Sequence, residues 1–290
     1  MLKMLFQNKC LLLTLFICCI VFSGCKGKSN ISPQFYQIDR PQRSELGKAL
    51  NEISGIYFSG NASLLAIADS KENIFLIDMK TKKLKDYTGK VVGPDSDLED
   101  IVQVDSTVYL LMSKGILKEV PQGVKDTSGV KTYELELDGS NDFESLYYDP
   151  TANSLVLLCK SCAHEKGEGI RTAFRFDLST KTFDTAAFFT ISKDAIKQLI
   201  KSDDAKFDPS AAAIHPINKR LYILSSAGNL LVVTDTRGKV IEAYPLNPDD
   251  FPQAEGIAFA PNGDMYISNE GKYGTPTLSV FPYQQNVQKK

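Results

Sequence analysis

Short apolar runs recur along the chain with polar or turn residues on either side, at 64–68, 74–78, 108–112, 116–120, 155–158, 172–176, 221–224, 230–234 and 277–281. Runs of this length, rich in Val, Ile, Leu, Tyr and Phe and closed by Asn, Asp, Gly or Lys, predict β-strands. One stretch has a different period: Ile196, Leu199 and Ile200 are spaced as on a helix face behind Ser192, which predicts a short helix over 192–201 with a serine cap.

The strands repeat as a set. Gln253-Ala254-Glu255-Gly256-Ile257 aligns with Glu52-Ile53-Ser54-Gly55-Ile56, Asp97-Leu98-Glu99-Asp100-Ile101, Asp142-Phe143-Glu144-Ser145-Leu146 and Asp208-Pro209-Ser210-Ala211-Ala212. The slot of Glu255 is thus filled by Ser54, Glu99, Glu144 and Ser210, at intervals of 99 − 54 = 45, 144 − 99 = 45, 210 − 144 = 66 and 255 − 210 = 45. A fixed period of this size with about four short strands per unit is the allotment of a propeller blade. The third unit is 66 − 45 = 21 residues longer than the others, and both the polar loop 160–169 and the helix can absorb the excess. The fifth unit runs out of chain before its outer strand. Residues 35–39 are expected to supply it, so that the N-terminus latches the ring and leaves no open sheet edge. The expected fold is all-β: a five-bladed β-propeller over 35–285, with an N-terminal strand closing the last blade.

A blade's first strand lines the central channel, and residues two apart on a strand face the same way. The pairs Glu52/Ser54, Asp97/Glu99, Asp142/Glu144, Asp208/Ser210 and Gln253/Glu255 are therefore expected at one mouth, seven carboxylates in all. Like charges resist such crowding unless a cation, basic side chains or water offsets them. Oxygen ligands with no His or Cys in register suit a hard ion such as Ca²⁺, with Asp97, Glu99, Asp142, Glu144 and Glu255 as its ligands. The bland alternatives are carboxylates that accept backbone N–H bonds and a merely solvated acidic mouth. Loops between second and third strands return to the same mouth and bring Asp69, Asn269 and Glu270 to it, so these and Glu52, Asp208 and Ser210 of the strand starts are the expected ligand-contacting groups. Lys71, Lys114 and Lys160 are the candidate cations there.

Composition then places the chain. Lys3 and Lys9 precede an apolar run to Phe22 and a Phe-Ser-Gly-Cys ending at Cys25. This reads as a secretory signal over 1–24. The ending resembles a bacterial lipobox, with Cys25 as the lipidated first residue and 25–34 as a tether. Removing the signal leaves 290 − 24 = 266 residues and a net charge near −4, which gives no footing for nucleic acid. The expected location is the bacterial cell envelope, lipid-anchored in the outer membrane. Cys159 and Cys162 are the cysteines left to the folded domain, as a local disulfide or as free thiols.

The repeated "(E/D)-x-(S/E)-G-(I/L)" strand starts, the Pro-Ser-Ala-Ala-Ala-Ile-His-Pro run from Pro209 to Pro216 and the Ile-Ser-Asn-Glu from Ile267 to Glu270 resemble the SdiA-regulated, YjiK/CarP-like envelope proteins over residues 35 to 283. The resemblance implies a β-propeller, similarity to calcium-dependent phytase-like propellers and a link to calcium handling.

Other chemistry finds less support. Only His164 and His215 could serve as a histidine base, and His215, in an Ile-His-Pro turn on the side away from the acids, reads as structural. Ala163 between Cys162 and His164 breaks a haem-attachment motif, and no second Cys pair completes a zinc site. The expected function is an envelope lipoprotein that binds Ca²⁺ and, through it, an unknown ligand or protein partner. A calcium-dependent phytase-like phosphoesterase is the alternative, and a purely structural envelope protein the third class.

Overall fold

A computed structural model describes residues 32–284 apart from 70, 72, 94–96, 122–126, 185, 272 and 273. The proposed leader, Cys25 and nearly all of the tether lie outside the described residues. Five antiparallel sheets form a ring. Strand β1 (Gln42–Glu45) precedes the first blade, which contains β2 (Ile53–Gly60), β3 (Ser63–Ala68), β4 (Phe75–Asp78) and β5 (Leu84–Asp86). The second contains β6 (Leu98–Val104), β7 (Thr107–Met112), β8 (Ile116–Val120) and β9 (Lys131–Glu134). The third contains β10 (Asn141–Asp149), β11 (Ser154–Cys162), β12 (Ile170–Asp177), β13 (Thr182–Phe183) and β14 (Phe189–Ser192), and is followed by helix α1 (Lys193–Ile200). The fourth contains β15 (Ala211–Ile214), β16 (Leu221–Ser225), β17 (Leu230–Thr234) and β18 (Val240–Pro245), and the fifth β19 (Ala254–Phe259), β20 (Met265–Asn269) and β21 (Thr277–Phe281).

The first strands touch in cyclic order, β2 to β6 to β10 to β15 to β19 and back to β2, and so line the channel. Second strands are buried on both faces because a neighbouring blade covers each side; every residue of β16 and β20 is buried. The apolar side chains collect into five clusters, one at each blade interface. Burial at about 25 cal/mol per Å² therefore holds blade to blade, while the ladder of hydrogen bonds holds each blade together.

The ring closes through the N-terminus as expected, but with a different segment. Strand β1 pairs with β21 from Gln42↔Val280 to Glu45↔Thr277, whereas residues 35–39 form turns. That earlier segment is a plug: Tyr36 and Ile38 are buried with Leu224, Leu231, Ile257 and Phe281 between the fourth and fifth blades. The Tyr36 hydroxyl donates to Gly263 O and meets His215 Nε2, both at 2.6 Å.

The extra length of the third unit goes into a split outer strand and the helix. Both β13 and β14 pair with β12, at opposite ends of it. Ser192 Oγ accepts from Ala195 N at 3.2 Å, and Lys201 ends the helix in the left-handed region. Ile196 is buried at the third–fourth blade interface, while Leu199 faces solvent at 47% exposure. The loop expected over 160–169 is shorter than expected, since β11 runs on to Cys162 and a 3₁₀ turn follows. No helix among the described residues is long and apolar enough to cross a membrane.

Candidate functional site

At the slot the first strands of the first, second, third and fifth blades break register with their partners. Leu98 pairs with Met112 and Asp100 with Leu111, leaving Glu99 opposite nothing. Glu144 is passed over between Phe143 and Ser145, and Glu255 between Ala254 and Gly256. Ser54 and Gly55 are skipped between Ile53 and Ile56. In the fourth blade Ser210 N donates to Leu224 O, the residue that also opposes Ala211. The repeated slot is thus a β-bulge in blade after blade, and a bulge re-aims one side chain without displacing the strand beyond it.

All five slot residues line one cavity of 160 Å³, together with Asp69, Lys160, Gln253 and Glu270. Carboxylate oxygens of Glu99, Asp142 and Glu144 lie within 4.8 Å of one another. Lys160 Nζ donates to Glu144 Oε1, and no other Lys or Arg lines the cavity among the described residues. Burial, then the Glu144, Asp97 and Asp142 carboxylates, raise the Glu99 pKa to about 9. Glu255 is raised to about 8 by burial and by Glu144 and Glu270, against a hydrogen bond from Ser226. Burial raises Glu144 to about 7 although the Lys160 ammonium opposes it. Burial likewise raises Asp142, with Lys160 again opposing. The Lys160 ammonium is itself held above its usual range: burial opposes its charge, but the Glu144, Asp142 and Glu255 carboxylates outweigh it.

The remaining sequence-predicted groups divide. Asp69 and Glu270 line the cavity, as does Ser210, whose hydroxyl donates to Ala254 O at 2.8 Å and accepts from Ser226 N at 3.2 Å. Ser54 Oγ accepts from Asp69 N in the same way, so the two serines serve their own loops. Asp97 accepts from Ser113 Oγ. Asp208 does not line the cavity; Arg171 on β12 takes its carboxylate, with Lys193 at 3.7 Å. Glu52 does not line it either, and its carbonyl accepts from Asp69 N. Asn269 is fully buried, with Nδ2 on Thr277 Oγ1 and Oδ1 without a hydrogen-bond partner. Of the seven expected carboxylates, Glu99, Glu144 and Glu255 line the cavity, Asp142 lies beside Glu99 and Glu144, and Glu52, Asp97 and Asp208 do not line it.

Two networks escaped the sequence reading. Asp100, directly after the slot, is buried and accepts from Ile101 N at 2.8 Å and from Leu146 N of the next blade at 2.7 Å. Burial holds its carboxyl well above the usual range despite those bonds. The signal was visible: the position is Gly55, Ser145, Ala211 and Gly256 in the other blades. The second is Arg171, which bridges buried Glu165 at 3.0 Å and Asp208, and so ties the third blade to the fourth.

His215 sits far from the acids. It is fully buried, and Nδ1 accepts from Ile217 N and Asn218 N, both at 3.1 Å. The neutral ring then carries its proton on Nε2 and donates it to the Tyr36 hydroxyl. Burial and Lys219 lower its pKa to about 4, in keeping with a neutral structural ring. Cys159 and Cys162 are joined as a disulfide with Cα atoms 5.8 Å apart. This withdraws Cys159 from any metal set with nearby His164 and Glu165. Lys114 lines a separate groove beside β9.

No curated protein matches the chain. Among solved structures, a luciferin-regenerating enzyme superposes with a TM-score of 0.51 at 11% identity, over 83% of this chain and 95% of that one. The WD40 propeller domain of Doa1 gives 0.46 at 8% identity, over 87% and 99%. A structural genomics protein of unknown function from Bacteroides thetaiotaomicron gives 0.48 at 15%, over 78% and 55%. At these identities the likeness is one of fold. The family model described as SdiA-regulated matches residues 28–273, and the chain belongs to that family.

Proposed function

We propose that this SdiA-regulated propeller is a lipid-anchored envelope protein whose acidic channel end binds Ca²⁺ and, through it, a ligand or partner. The observation that carries the reading is the convergence of Glu99, Glu144 and Glu255 on one cavity with a single lysine. The donor set fits a hard divalent ion: carboxylate oxygens from separate blades, with no sulfur or imidazole among the lining groups. Glu99, Asp142 and Glu144 would hold the ion, with Glu255 and Glu270 completing the shell. Binding would ionise these acids and release Lys160 from its ion pair with Glu144.

The phosphoesterase reading is less favoured, because gripping a phosphate needs several cations facing the metal, and Lys160 alone lines the cavity among the described residues. Anchoring rests on the lipobox-like sequence at Cys25, and Cys25→Ala should move the protein from the membrane fraction to the soluble one.

Isothermal titration tests the metal. Ca²⁺ should bind, raise the melting temperature by mass action and lose affinity in Glu144→Gln, with Mg²⁺ a poor substitute for want of a tight octahedral shell. Absence of Ca²⁺ binding at millimolar concentration sinks the proposal.

A further inference from the structure

Beyond the slots the side chains of the five first strands line a second cavity of 290 Å³ further along the same channel. Its character is opposite. Tyr57, Phe58, Tyr148 and Phe259 line it with aliphatic residues from all five blades. Two charged residues line it, and only one presents its charge. Asp100 is withdrawn into bonds with Ile101 N and Leu146 N. Lys219, in the turn after β15, is exposed.

We propose that this cavity binds a small amphiphilic carboxylate, its apolar body among the aromatic rings and its head at Lys219. Charge complementarity selects an anion: a neutral body would leave the Lys219 charge unused, and a cation would meet it directly. The volume lies at the lower end of small-ligand sites, roughly 300–1,000 Å³, which suits a single ring or a short acyl chain rather than a lipid or a peptide. The Tyr57 ring is partly buried, and its hydroxyl pKa is raised by that burial and by Tyr148. Such amphipathic rings present an apolar face with a polar tip to a ligand of mixed character.

The test is a charge series on the whole propeller, with octanoate, octanol and octylammonium titrated in EDTA so that the acidic end is metal-free. Octanoate should bind saturably, octanol at least tenfold more weakly and octylammonium not at all, with the ring resonances of Tyr57 and Tyr148 shifting only for the binders. Lys219→Glu should weaken octanoate at least tenfold, and Ala213→Phe, which fills the cavity, should abolish binding. If a variant fails to fold, the wild-type series decides alone. Octylammonium binding as tightly as octanoate, octanoate failing to bind, or a dimer forming over this mouth and excluding octanoate would overturn the proposal. The outcome is independent of whether Ca²⁺ binds at the other end.

Discussion

The two ends of the channel are made from the same five strands, yet one end gathers carboxylates and the other aromatic rings. The difference arises at the bulge. There Glu99, Glu144 and Glu255 are each released from the ladder and reach a shared cavity. After it side chains such as Leu146 and Ile257 pack into the interfaces between blades. A propeller can therefore vary its acidic end without touching its core, since bulge residues hold no cross-strand partner. The apolar end has no such freedom, because its residues also hold the blades together.

The largest expected effect comes from abolishing the acidity. With folded pKa values of about 9, 7 and 8 for Glu99, Glu144 and Glu255, the folded state favours their protonated form. The stability they contribute is complete below an ordinary carboxyl pKa of about 4.3 and is lost as pH rises through 7 to 9. Metal-free protein should thus melt progressively lower from pH 5 to 9. Replacing all three by Gln should flatten that slope in scanning calorimetry while leaving octanoate binding intact. A slope unchanged in the triple variant would mean that the acids are solvated and uncoupled.

The seam between the ends comes next. A Cβ on Gly55 would lie 2.5 Å from Asp100 Oδ1 and 2.8 Å from its Cα, and one on Gly256 would press Ser268 Oγ and lie 3.2 Å from Ile56 N. Gly55→Ala and Gly256→Ala should each cost about 1–3 kcal/mol by overpacking. Asp100→Ala should cost about as much by leaving Leu146 N–H unpaired, and Asp100→Asn less, since its amide oxygen can still accept. Denaturant unfolding in which Ala and Asn are equally stable would dissociate the carboxyl from the seam.

The smallest effect is expected at the plug. Tyr36→Phe removes the bond to Gly263 O and the partner of His215 Nε2, at about 1 kcal/mol, or roughly 2–4 °C in melting temperature for a domain of this size. Neither Ca²⁺ nor octanoate binding should change. A change in either would show that the plug sets the geometry of the channel.

The repeat of slots was legible because inner strands are apolar and their starts share a motif. The outer strands β1 and β5 were not, for a physical reason: β1 reads Gln-Arg-Ser-Glu and β5 Leu-Lys-Asp, since one face or both meet water. Residues 35–39 carry the apolar signature that β1 lacks, but Tyr36 and Ile38 are apolar because they seal an interface, not because they extend a sheet. At the site, the convergence of the five slots could be read from spacing alone. The fate of Asp208 could not, because Arg171 lies 37 residues earlier on another blade.

Closure by β1 also sets the order in which the molecule can finish folding. Gln42 pairs with Val280, 280 − 42 = 238 positions later. At translation rates of about 5–20 residues per second, β1 waits roughly 10–50 s for its partner. During that interval the nascent chain has four blades and an unmatched edge, the kind of surface that recruits a neighbouring chain. Polar β1, with Arg43 and Glu45 among its four residues, is a poor template for such mispairing.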